Sequence, residues 1–119
     1  MKLLMVFLGG GAGAVCRWLV GHSLTSGSDF PFATFLVNML GCFLFGLAAF
    51  YSIKGNPTIH FFILVGFLGG FTTFSSFGYE MFYLFKSNAF GTLVSYALLS
   101  NLVGVGLVFV GYKLASFIS

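Results

Sequence analysis

The 119-residue chain is 59% hydrophobic and only 6% charged, with a formal charge of +3 and a mean hydropathy of +1.07. Soluble domains carry about 25% charged residues, so this composition cannot cover a water-facing surface and excludes a soluble enzyme. The basic residues Lys2, Arg17, Lys54, Lys86 and Lys113 are dispersed, without the concentrated patch that nucleic-acid binding needs. The alternating pattern of a membrane β-barrel is absent as well. The fold class is therefore an all-α membrane protein, a single integral membrane domain over residues 1–119. A span needs ~20 apolar residues, which leaves room for four helices and short connectors.

The first apolar stretch covers residues 3–24. Lys2, the run Leu3 to Leu8 and Ala12-Gly13-Ala14 imitate a signal peptide. That run is shorter than the ~7–15 residues such peptides use and apolar sequence continues beyond it, so a retained span is expected. Gly9 and Gly13 are one helical turn apart and permit close packing in lipid. Arg17, in the second half of this stretch, either snorkels to the headgroups or sets a fixed positive charge at the mouth of an aqueous vestibule.

A loop is predicted at Thr25-Ser26-Gly27-Ser28-Asp29, and Pro31 suits the first turn of a second span over residues 32–53. Thr34, Asn38 and Gly41 share one face of that span at helical spacing. Asn38 is either interhelical hydrogen-bonding glue, worth roughly 1 kcal/mol, or a pore-facing amide that donates to a desolvated anion. Cys16 and Cys42 lie inside apolar segments as small hydrophobes, with neither a disulfide framework nor metal-ligand spacing.

After Lys54-Gly55-Asn56-Pro57, a third stretch over residues 58–85 is too long for one straight span. Glycine, threonine and serine crowd the segment Gly69-Gly70-Phe71-Thr72-Thr73-Phe74-Ser75-Ser76-Phe77-Gly78 and predict a break near the middle of the helix. Carbonyls freed at that depth must be satisfied by protein, water or an ion, and such breaks often mark binding sites. Phe74 and Phe77 project from one face, and their electropositive ring edges can contact an anion without a counter-charge. With 18 phenylalanines in the chain, simple packing is the competing explanation. Glu80 follows one turn later, either functional or ion-paired with Arg17. The fourth stretch, over residues 90–118, sets Tyr96 and Ser100 one turn apart, which extends a polar track. His22 and His60 read as interfacial. No carboxylate pair, nucleophile–base set or axial histidine pair supplies catalytic machinery, so no enzyme is expected.

Four spans place both termini on one side, with Lys2, Lys54 and Lys113 against Lys86 and Arg17. So weak a bias admits insertion in both orientations and pairing of opposed copies, though one fixed orientation fits these few charges equally well.

These motifs together resemble the small bacterial CrcB or Fluc fluoride channels over the whole chain. Gly10-Gly11-Ala12-Gly13-Ala14-Val15-Cys16-Arg17-Trp18 is similar to the family's first-helix motif, and Thr34-Phe35-Leu36-Val37-Asn38-Met39-Leu40-Gly41 to its second. The segment Gly69 to Phe77 looks like the signature of its broken third helix. Two positions depart from the usual pattern: Ala33 replaces a glycine, and Ser75-Ser76-Phe77 replaces Ser-Thr-Phe.

The resemblance implies an antiparallel, dual-topology homodimer in the bacterial cytoplasmic membrane, with two fluoride pores along the subunit interface. It implies passive export of cytoplasmic fluoride driven by the membrane potential. Phe74 and Phe77 would be the pore phenylalanines and Asn38 the pore amide, with Thr34, Ser75, Tyr96 and Ser100 along the track. Arg17 would shape the vestibule, with Glu80 toward the far end. The backbone carbonyls of Gly69 and Thr72 from both subunits would hold a structural sodium ion, and no organic cofactor is implied. A small four-span exporter of lipophilic cations and a non-transporting scaffold subunit are the alternatives. The exporter reading lacks an acidic residue in the first span, where this chain has Arg17.

Overall fold

The computed structural model describes residues 1–24 and 27–119, so Thr25 and Ser26 of the predicted loop lie outside the described residues. The apolar runs all wind into helices, because in lipid a backbone must satisfy its own polar groups. They form α1 (Lys2–Ser23), α2 (Phe32–Ile53), a π-helix (Ile59–Leu68), the single turn α3 (Gly69–Phe71), α4 (Phe74–Lys86) and α5 (Phe90–Ile118). Among the described residues, four helical stretches are long and apolar enough to cross a membrane: Lys2–Ser23, Phe32–Ile53, Ile59–Lys86 and Phe90–Ile118. The protein is a multi-pass membrane protein.

The connectors follow turn chemistry. After α2 the chain turns at Gly55, whose φ of +89° favours glycine. Asn56 then accepts through Oδ1 from the Ile59 N–H at 3.0 Å and so caps the helical turn that begins at Pro57 and leads into the π-helix. Asn88 takes the left-handed conformation, φ +59°, in the turn between α4 and α5, a role to which asparagine is suited.

Two seams organise the bundle: α1 lies along the π-helix and α3, and α2 lies along α5. Glycine makes both seams possible. A Cβ on Gly13 would strike the Phe67 carbonyl, and one on Gly9 the Phe62 carbonyl. Across the second seam, Cβ atoms on Gly46 and Gly111 would strike the Val108 and Phe43 carbonyls. The helices therefore touch backbone to backbone, where dispersion replaces the hydrophobic drive that lipid removes.

Polar contacts gather the span ends on the side of the termini. The Tyr51 and Ser119 hydroxyls are 2.8 Å apart, Ser52 Oγ lies 2.9 Å from His60 Nδ1, and Lys2 Nζ sits 5.2 Å over the Phe61 ring. The buried centre is thin: Leu68, Val37 and Tyr96 are the largest fully enclosed side chains. Large apolar side chains such as Leu3, Phe109 and Phe117 are mostly exposed, as suits a surface facing lipid or another subunit.

Candidate functional site

Within the third stretch the helical course stops at Thr72 (φ −81°, ψ 155°) and Thr73 (φ −148°, ψ 119°) and resumes at Phe74. Two extended residues at membrane depth need outside partners for their backbone. Asn38 on α2 supplies them: Thr73 N–H donates to Asn38 Oδ1 at 2.8 Å, and Asn38 Nδ2 donates to the Thr73 carbonyl at 3.0 Å. Thr72 satisfies itself against the end of the preceding helix, donating from N–H and Oγ1 to the Leu68 carbonyl at 3.0 and 2.7 Å. Gly41, one turn beyond Asn38, leaves the space that Thr72 Cγ2 fills. Thr73 then caps α4 by accepting from Ser76 N–H at 3.1 Å, an N-cap arrangement.

A groove of about 360 Å³ opens beside these residues, lined by Asn38, Phe74, Phe77 and Ser100 together with Thr72 and Asn101. The Phe74 and Phe77 ring centroids are 5.6 Å apart. Phe74 is 83% exposed, whereas Phe77 is half-buried against Tyr96 at 4.9 Å. Tyr96 itself is fully enclosed, with Phe30 on another side at 5.3 Å.

Two further cavities adjoin. One of about 490 Å³ is lined by Arg17, Trp18, His22, Thr34, Thr73 and Ser76. The other, about 360 Å³, is lined by Thr34, Ser75, Ser76, Tyr79 and Glu80. Thr73 borders both the groove and the Arg17 cavity, and Thr34 borders both the Arg17 and Glu80 cavities. Hydroxyl groups thus stand at each junction. Arg17 donates from Nε to the Gly70 carbonyl at 3.1 Å, just before the interruption, and among the described residues makes no ion pair with Glu80. Glu80 Oε1 and the Tyr96 hydroxyl are buried, with the Thr34 side chain as their polar neighbour.

The chain matches the family described as CrcB-like protein, Camphor Resistance (CrcB), over residues 4–112. It belongs to the CrcB family. Among similar proteins is the fluoride-specific ion channel FluC of Azobacteroides pseudotrichonymphae, 41% identical, with 98% of this chain and 97% of that one covered. FluC 2 of Staphylococcus saprophyticus is 38% identical and FluC 1 of Staphylococcus aureus 39%, each with both chains covered completely.

In this CrcB-family chain, Asn38, Phe74, Phe77 and Ser100 share one groove. Thr34, Ser75 and Glu80 lie together in the Glu80 cavity, and Arg17 is in the cavity between. Tyr96 stands behind Phe77 rather than in the groove lining. Thr72 lines the groove, and Gly69 is exposed at the start of α3. Sequence reasoning passed over Thr73 and Asn101. Thr73 is signalled by its capping spacing to Ser76, and Asn101 by being an amide near the middle of an apolar span.

Proposed function

We propose that this protein is a fluoride-selective channel that exports cytoplasmic fluoride passively, in the membrane of a bacterial cell. The observation that carries the reading is the groove itself: two phenylalanine rings and a serine hydroxyl beside an amide-clamped interruption, with no charged side chain in its lining. A small anion there meets ring edges and N–H or O–H donors but no cation to trap it. The full-length similarity to fluoride-specific channels selects fluoride among anions.

In this reading fluoride collects in the Arg17 cavity, drawn by the fixed guanidinium charge. It then passes the Thr73 junction into the groove, exchanging hydration for the remaining Asn38 N–H, the Ser100 hydroxyl and the rims of Phe74 and Phe77. Thr34, Ser75 and Glu80 line a polar cavity that adjoins the Arg17 cavity at Thr34, away from the groove, and Tyr96 stands behind Phe77. The membrane potential supplies the driving force, so no coupled energy source or catalytic residue is needed.

The groove lies open on the protein surface, and Phe74 stands unshielded in it. An antiparallel homodimer of oppositely inserted copies would close it and create two pores. A broken third helix is the feature on which that assembly would turn. A structural sodium ion fits the same place. In a continuous helix, Thr73 N–H would bond to the Gly69 carbonyl and Ser76 N–H to the Thr72 carbonyl. Both donors are diverted instead, to Asn38 Oδ1 and Thr73 Oγ1. Hard carbonyl oxygens relieved of helix donors suit an alkali cation, which would brace the two interruptions across the dimer.

The test is voltage-driven release. Purified protein in liposomes loaded with potassium fluoride should discharge fluoride when a potassium ionophore is added, and leave chloride inside when chloride replaces it. Silence in both, or equal release of both, defeats the reading.

A further inference from the structure

We propose that Asn101 is a second carboxamide donor to the anion in the groove that the Asn38 clamp borders. The inference deepens the fluoride-channel reading and rests on it.

Asn101 lies close to the middle of the 29-residue α5, at bilayer depth, and lines the same groove as Asn38, Phe74, Phe77 and Ser100. It is exposed there. Its Nδ2 donates to the Ala97 carbonyl at 2.8 Å, one turn back on its own helix. That bond uses one of the two amide N–H groups and holds the side chain against α5. The second N–H and Oδ1 have no partner among the described residues. An amide with open hydrogen-bonding capacity at this depth costs several kcal/mol unless something in the groove meets it.

The neighbouring chemistry identifies that occupant as an anion. Asn38 already has its oxygen and one N–H fixed on Thr73, which leaves it a single donor. That N–H, the Ser100 hydroxyl and a pair of ring edges are few for a halide stripped of water. Asn101 adds an N–H from α5, beside the Ser100 hydroxyl, so that donors approach from two helices. An occupant with only apolar surface, such as an acyl chain, leaves all of them unmet.

The experiment compares wild-type protein with Asn101→Ala and Asn101→Asp in fluoride-loaded liposomes, at several fluoride concentrations. Assembly is read by cross-linking and gel filtration. Asp keeps the shape and removes the donors. Both variants should assemble normally, pass fluoride about tenfold more slowly or worse, and need more fluoride to half-saturate, as losing one hydrogen bond to a charged group implies. Asp should be the slower of the two. Flux within a factor of about two of wild type in both variants overturns the assignment. So does normal flux per assembled channel with assembly lost, which would make Asn101 a subunit contact. Wild-type protein that releases no fluoride would instead defeat the channel reading itself.

Discussion

Asn38 holds Thr73 from both sides, with its oxygen on the N–H and its nitrogen on the carbonyl. The sequence leaves open whether this amide is structural glue or a pore ligand. Its first-order role in the fold is the clamp, with one N–H left over for an anion. Asn38→Ala should therefore lower stability by about 1–3 kcal/mol, because it strands two backbone groups, and should lower flux as well. Thermal unfolding in detergent measures the first effect, and a stability unchanged from wild type would remove the clamp from the account. The two phenylalanines separate in the opposite way. Phe77 touches Tyr96 at 4.9 Å, whereas Phe74 is 83% exposed. Phe77→Ile, which breaks the contacts with both Phe74 and Tyr96, should lose about 0.5–1.5 kcal/mol per ring pair together with flux, and Phe74→Ile should lose flux at a smaller cost in stability. Parallel melting curves and efflux rates distinguish these outcomes.

Helix identity and span count were legible because lipid permits few alternatives and leaves long apolar runs as the signature. The winding of the π-helix was not. Apart from His60 near its start, Ile59–Leu68 is apolar on every side, so its residues carry no periodicity that separates a wider helix from an α-helix. Its close approach to α1 is what the glycines report, and they report it selectively. Gly13→Ala would press on the Phe67 backbone, and Gly46→Ala on that of Val108, whereas a Cβ on Gly11 or Gly106 meets nothing within 4 Å. The first pair should reduce folded protein severely and the second pair should be neutral, as fluorescence-detected gel filtration will show. At the start of α4, Thr73→Ala should cost about 0.5–2 kcal/mol through loss of the cap, and Thr73→Ser should restore most of it. The extended residues Thr72 and Thr73 lie within the Gly/Thr/Ser-rich segment, but the side chain that satisfies Thr73 comes from α2, and the one that meets the nearby Gly70 carbonyl comes from α1. No local reading of that segment could name Asn38 or the Arg17–Gly70 contact.

As a whole molecule the chain leaves more large apolar side chains exposed than it buries, and its candidate pathway runs along the outside of one subunit. The site residues divide among three adjoining cavities joined by Thr73 and Thr34, a division that spacing along single helices does not reveal. An antiparallel pair predicts that a cysteine added at the C-terminus is labelled from outside in about half of the molecules in intact cells, since charge bias is weak. Labelling of all or none would contradict dual insertion. The central claim, a passive conductance selective for fluoride, is tested most directly by the reversal potential of the current through a planar bilayer. With a fluoride gradient across the bilayer and a chloride gradient in the opposite direction, the account predicts a current that reverses near the equilibrium potential of fluoride and ignores the chloride gradient. A current that follows chloride or protons, or no current at all from assembled protein, would contradict it.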